Sequence, residues 1–247
     1  MELQGRVALV TGASGGGMGR SIALTLARDG ADIVLNYRSN AERAKEVAAA
    51  IEAFGRKVYV HQADTEDPDA VLTMVQAAEA ECGHVDIAIC SAGGARKVQD
   101  FVDIEPDHWR AVMRGEVDSA YGLIRATLPG MRERGWGRIV MIGGLRADDW
   151  TYGPPDGPLD YPLGKAARHW LARTLGPRER ANGITINAVA PGPIEHVEFD
   201  EALRLAKEGP SGEITPQHVA EVISYLCSQR AAHVSGAIVP VRGSDAV

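Results

Sequence analysis

The chain has 247 residues, 45% of them hydrophobic, and a formal net charge of −7. That length and apolar content suit one α/β domain with a single large core. The acidic balance excludes a general electrostatic grip on nucleic acid, and no apolar run approaches the length of a membrane span.

Apolar strand-like runs alternate with amphipathic stretches along the whole chain. Arg6–Val10 reads as a buried parallel strand, and Ser21–Arg28 has the apolar spacing of a helix. Asp32–Asn36 is the second strand, and Ala41–Phe54 the second helix, stopped by Gly55. Lys57–His61 is the third strand, followed by a helix that Pro68 opens and Gly83 ends. Val85–Cys90 is the fourth strand. Pro106 opens a long helix running to Arg134, with a disturbance expected at Pro129-Gly130. Arg138–Ile142 is the fifth strand, a helix begins near Tyr161, and Ile184–Val189 is the sixth strand. Short helices near Val197–Lys207 and Pro216–Ser228 precede a last strand, Ala237–Val241. Such alternation predicts a Rossmann-type, doubly wound parallel sheet with helices on both faces. With no repeat, low-complexity segment or linker, residues 1–247 are expected to form a single domain. Met1–Gly5 lacks a basic region followed by an apolar stretch, so no secretory signal is expected. Cys82, Cys90 and Cys227 are an odd set without CxxC spacing, which predicts reduced thiols in a cytoplasmic protein and no metal site.

The segment Thr11–Arg20 is TGASGGGMGR, lying between the first strand and the first helix. Glycines there let the backbone turn sharply and approach a phosphate, and the first helical turn presents unpaired N–H groups to the anion. A dinucleotide pyrophosphate is therefore expected at Gly12–Gly19.

Four further motifs follow in order, and together with the glycine segment they resemble the short-chain dehydrogenase/reductase family over essentially the whole chain. The glycine segment is similar to TGxxxGxG, with one extra residue between Gly12 and Gly17. Asp64 resembles the family's adenine-binding Asp. Cys90-Ser91-Ala92-Gly93 resembles the NNAG that ends the fourth strand, with both asparagines replaced. Tyr161-Pro162-Leu163-Gly164-Lys165 matches YxxxK, and Asn187–Gly192 matches NxxxPG. The resemblance implies nicotinamide-cofactor binding and often a homotetramer. It places cofactor contacts at Gly12, Ser14, Gly17, Met18, Gly19, Arg38, Ser39, Asp64, Thr65, Ser91, Ala92, Gly93, Lys165, Pro191, Gly192 and Ile194. At the end of the second strand no carboxylate occurs before Glu42. Arg38 offers a planar donor fork and Ser39 a hydroxyl to a 2′-phosphate, so NADP is expected, with NAD the alternative. Gly16 stands where NADP-preferring relatives often carry a second basic residue.

Tyr161 and Lys165 are i and i+4, on one face of a helix. In the family the Lys lowers the Tyr pKa and binds the nicotinamide ribose, while the Tyr hydroxyl exchanges a proton with the substrate oxygen. Two positions depart from the pattern. Gly144 occupies the place of the family's catalytic Ser, and Glu116 that of its Asn. A carboxylate at Glu116 is expected to hold the Lys165 charge directly and to raise the Tyr161 pKa. The segment Arg146–Asp160 is longer than the family's and contains Asp148, Asp149, Thr151 and Tyr152. A hydroxyl from Thr151 or Tyr152 is one reading of the missing donor, and a surface loop that donates nothing is the other. His196 is the analogue of a Thr that touches the carboxamide, within a short lid at residues 194–212.

The expected activity is interconversion of a ketone and a secondary alcohol, with a small-molecule substrate and no membrane or nucleic-acid partner. The alternatives are altered chemistry on the same fold (imine reduction, or non-redox elimination or isomerisation) and a cofactor-binding protein with little turnover.

Overall fold

The computed structural model describes residues 1–94, 96–149 and 159–243. Seven strands form one parallel sheet: β1 (Val7–Val10), β2 (Asp32–Tyr37), β3 (Val58–Gln62), β4 (Ile87–Cys90), β5 (Gly137–Ile142), β6 (Ile184–Pro191) and β7 (Ile238–Val241). Their spatial order is β3-β2-β1-β4-β5-β6-β7. The order reverses between β1 and β4, and ligands of such sheets bind at the crevice outside the carboxyl ends there.

The helices are α1 (Met18–Arg28), α2 (Ala41–Ala53), α3 (Pro68–Cys82), α4 (Pro106–Met113), α5 (Ser119–Arg134), α6 (Asp160–Glu179), α7 (Phe199–Glu208) and α8 (Pro216–Cys227). Strand residues alternate between two cores because side chains alternate across a pleat. Ala8, Val10, Ile33, Leu35 and Ile89 pack with Ile22, Leu24 and Leu26 of α1, Val47 of α2 and Val219 and Ile223 of α8. Val7, Leu9, Val34, Ala88 and Ile139 pack instead with Val71 and Val75 of α3, Leu123 of α5 and Ala172 of α6. Local chemistry sets the helix ends. The Asn40 side chain accepts from Arg43 N–H at the start of α2. Asp67 and Pro68 open α3, and Gly83, at φ 86°, closes it.

The helix expected over Pro106–Arg134 is interrupted, but not where proline suggested. Pro129 lies inside α5, which continues to Gly135 at φ 64°. The break is a π-helical turn at Arg114–Asp118, with Glu116 at its centre. Its carbonyls are met from outside the helix ladder, by Arg168 at Gly115 and Glu116 and by the Ser119 hydroxyl at Gly115. Such single-turn bulges often mark functional sites. The expected lid is largely α7, docked on α1: Arg20 donates to Val197 O at 2.7 Å and Arg28 to Ala206 O at 3.0 Å. Among the described residues no helix is long and apolar enough to cross a membrane.

Candidate active site

Parallel strands deliver the segments that follow β1, β2, β3, β4 and β6 to one edge of the sheet. The Thr11 hydroxyl donates to Ile89 O at 3.2 Å and accepts from the N–H groups of Ser91 (3.0 Å) and Ala92 (3.1 Å). It thereby ties the glycine turn to the end of β4. Asn36 ties it to the other side, accepting from Gly12 N–H at 3.1 Å and donating to Ala63 O at 3.1 Å.

Two kinds of glycine make the turn. Gly12 has φ 65° and lies against Ala92, and a Cβ at Gly19 would come within 2.6 Å of Gly12 O. These two permit close packing. Gly16 and Gly17 instead face open space, with nothing within 4 Å of an added Cβ. Gly17 caps α1 without any side-chain hydrogen bond, so the first-turn N–H groups carry no side-chain acceptor. Open space before unclaimed donors fits an anionic phosphate.

Lys165 is buried, with its ammonium over the Tyr161 ring, 5.1 Å from the centroid. It donates to Ile142 O at 3.1 Å and lies 2.9 Å from Glu116 Oε2. Arg168 Nε lies 3.1 Å from that same oxygen, while Glu116 Oε1 accepts from Gly94 N–H at 2.9 Å. Glu116 and Arg168 are both fully buried. The expected direct contact of Glu116 with Lys165 is therefore present, in a three-residue charge cluster. Burial and the neighbouring Arg168 push Lys165 down to about 8, against the attraction of Glu116. Burial, and then Glu116, push Tyr161 up to about 12, opposed by Arg168 and Arg96. Tyr161 is thus protonated at neutral pH, the form that donates.

The helix carrying this pair is anchored at its start. Asp160 is buried, accepts from Tyr161 N–H at 2.8 Å, and lies 3.2 Å from His108 Nε2. Gly164 lets α6 approach the π-helical turn, since a Cβ there would sit 2.5 Å from Glu116 Cβ.

After β5 the chain offers little to a substrate oxygen. Gly144 has no hydroxyl, and its N–H turns inward to His169 Nε2 at 3.3 Å. That bond places the His169 proton on Nδ1, which faces Asp148 Oδ1 at 3.0 Å. Burial holds His169 below its ordinary pKa despite Asp148, so the ring is neutral. Asp148 also pairs with Arg173. The ring fills the space beside Gly143, where any Cβ would overlap it.

The chain has counterparts in sequence and in fold. Residues 12–243 match the family described as enoyl-(acyl carrier protein) reductase. The chain is 35% identical to a 3-oxoacyl-[acyl-carrier-protein] reductase of Pseudomonas aeruginosa, covering 98% of each chain. It is 31% identical to an acetoacetyl-CoA reductase of Allochromatium vinosum, covering 96% of this chain and 97% of the other. A Sinorhizobium meliloti structure described as a short-chain alcohol dehydrogenase superposes with a TM-score of 0.85 at 28% identity, covering 98% of this chain and 96% of that one. The chain belongs to the short-chain dehydrogenase/reductase family.

The positions at which the sequence predicts cofactor contacts in this short-chain dehydrogenase/reductase fall where parallel strands end: Gly12 to Gly19 after β1, Arg38 and Ser39 after β2, Asp64 and Thr65 after β3, Ser91 to Gly93 after β4, and Pro191, Gly192 and Ile194 at and after the end of β6. Arg38 is largely exposed and lies 2.9 Å from Glu66 and 4.0 Å from Asp64. His196 is exposed. Asp148 does not serve as the missing donor, because His169 and Arg173 hold it; Thr151 and Tyr152 lie outside the described residues. Sequence reasoning missed Thr11, Asn36, Asp160, Arg168 and His169. Arg168 and His169 carried a signal, being polar residues within a helix that must cover a buried sheet. Among the described residues no group of His, Cys, Asp and Glu side chains gathers as a metal site.

Proposed function

We propose that this oxidoreductase reduces the ketone of a 3-oxoacyl thioester or similar small carbonyl compound, with NADPH preferred. The observation that carries the reading is the Tyr161–Lys165 pair, set on one helix face at the carboxyl end of β5, in a sheet whose first strand ends in an open glycine turn. The named activities of the relatives support the substrate class.

The open turn at Gly16-Gly17, with Ser14, Met18 and the α1 N-terminus, would hold the pyrophosphate. Asp64 and Thr65 would meet the adenine, Ser91, Ala92 and Gly93 the ribose side, and Pro191, Gly192 and Ile194 the carboxamide. When bound, a reduced nicotinamide would provide hydride chemistry at the carbonyl carbon. Tyr161 donates its hydroxyl proton to the carbonyl oxygen as negative charge develops there. The Lys165 ammonium, held by Glu116, stabilises the phenolate that remains until the hydroxyl is reprotonated. Gly144 supplies no side-chain hydroxyl to the substrate oxygen, and Tyr161 carries the proton-transfer step. Arg38 and Ser39 would take the 2′-phosphate, Arg38 exchanging an exposed ion pair with Glu66 that is worth little in water.

A homotetramer fits the exposed apolar surface of the outer helices: Tyr121 of α5 is 52% exposed, and Leu163 and Trp170 of α6 are 50% and 63% exposed. A cytoplasmic setting fits the free thiols of Cys82, Cys90 and Cys227. Cofactor oxidation followed by absorbance, with NADPH and NADH against 3-oxoacyl thioesters, simple ketones and imines, tests the reading. Turnover of 3-oxoacyl thioesters with NADPH is expected, and turnover of imines alone overturns it. Light scattering at the monomer mass of 26.3 kDa overturns the tetramer.

A further inference from the structure

Arg168 belongs to none of the motifs, yet the buried charges of the site are arranged around it. Its guanidinium donates to Cys90 O (3.4 Å) and Ala92 O (2.7 Å) at the end of β4, and to Ile142 O (2.9 Å) at the end of β5. It also donates to Gly115 O (3.0 Å) and Glu116 O (2.8 Å) in the π-helical turn, and to Ser119 Oγ (3.1 Å). The oxygen of Glu116 that faces Arg168 Nε is the one that faces Lys165 Nζ. Two buried cations therefore share one carboxylate.

Two physical consequences follow. A π-helical turn leaves carbonyls outside the helix ladder, and a buried carbonyl needs a donor. Arg168 donates to two carbonyls of this turn, at Gly115 and Glu116, so the turn that brings Glu116 to Lys165 is braced by the guanidinium. Only a planar fork with several donors reaches carbonyls of three elements at once, which an ammonium does not. Arg168 also keeps Glu116 paired whichever protonation state Lys165 adopts, so Lys165 can exchange its proton without leaving a lone buried carboxylate.

We infer that Arg168 is a positioning residue of the active site: it holds Glu116 in the π-helical turn, so that the carboxylate fixes the Lys165 ammonium over the Tyr161 ring. The inference rests on the proposed working pair Tyr161–Lys165. The charged and titratable groups around Lys165 are Glu116 from the turn, Arg168, His169 and Tyr161 from its own helix, and Cys90 at the end of β4; Arg96 acts on Tyr161.

The test follows the Lys165 titration directly, by NMR of the cofactor-free chain labelled with 13C at lysine Cε, with Lys165→Met for assignment. The pH dependence of kcat for ketone reduction is measured in parallel. Arg168→Met removes a like charge, so the Lys165 titration moves up by about one pH unit or more, and Glu116→Gln moves it down by a similar amount. The Arg168→Met/Glu116→Gln double variant falls between the two. Misplacement of Lys165 in Arg168→Met lowers kcat by about a hundredfold. Arg168→Lys keeps the charge and loses the fork, so Glu116 is no longer held against Lys165: kcat falls and the titration moves down, as in Glu116→Gln. A Lys165 titration unmoved by both Arg168→Lys and Glu116→Gln in folded protein overturns the inference, leaving Arg168 a tie between strand ends. If Arg168→Lys does not fold, an unmoved titration in Glu116→Gln overturns it just as well. A chain that turns over no ketone refutes the reaction reading, whereas the titration, which needs no substrate, still decides the role of Arg168.

Discussion

The two halves of the candidate site are built with different physics. Around β1, β2 and β3 the site is backbone: a glycine turn with open space at Gly16 and Gly17, bound to its neighbours through Thr11 and Asn36. Its charged group, Arg38, is exposed and paired only at the surface. Around β4, β5 and α6 the site is buried charge, with Lys165, Glu116 and Arg168 all withdrawn from water. An exposed pair is weak because water screens it, whereas a buried cluster tolerates no missing member because an uncompensated charge has no solvent to turn to. Binding in the first half should therefore degrade gradually under substitution, and chemistry in the second should fail abruptly.

Tyr161→Phe is expected to produce the largest effect, a loss of about 10²–10⁴ in kcat with cofactor affinity retained, because one hydroxyl is deleted and little volume. Rapid cofactor oxidation by this variant would move the proton donor elsewhere. Next, Glu116→Ala leaves Lys165 and Arg168 buried without a carboxylate and should cost about 3–5 kcal/mol in urea unfolding. A loss no greater than that of a surface substitution would erase the contrast between the halves.

The pH dependence sharpens the contrast further. Lys165 is held at about 8 in the fold, below its ordinary 10.5. Between these values the unfolded chain binds more protons, so this group's contribution to stability rises with pH over that window. Ketone reduction should instead fall as pH rises through about 8, because the ammonium is lost. Tyr161, at about 12, adds no limb below that value. Unfolding and rate profiles across this range should therefore slope oppositely, and Lys165→Met should remove the rise in stability. The smallest effect is expected in the first half: Arg38→Ala should weaken NADPH by about tenfold and leave NADH unchanged, by calorimetry. Equal losses for both cofactors would mean that Arg38 does not meet the 2′-phosphate.

The sequence by itself determined the doubly wound sheet, the glycine cradle and the Tyr161–Lys165 pair. Each depends on local information: strand-length apolar runs, glycines at a strand-to-helix junction, and helical spacing that places i and i+4 on one face. Strand ends shifted by one or two residues, as at β3 and β6, because ladder partners decide where pairing stops. Only the tertiary structure decided the rest. Pro129 looked like the break in the long helix, but the ladder changes at Glu116, where Arg168, fifty-two residues away, donates to the carbonyls of the π-helical turn. His169 fills the space beside Gly143 and takes the Gly144 N–H, an outcome set by the packing of α6 on the end of β5. Spacing within one element is written along the chain. The partner of a buried charge is chosen by which elements meet, and the cost of leaving that charge unpaired is what makes the choice specific.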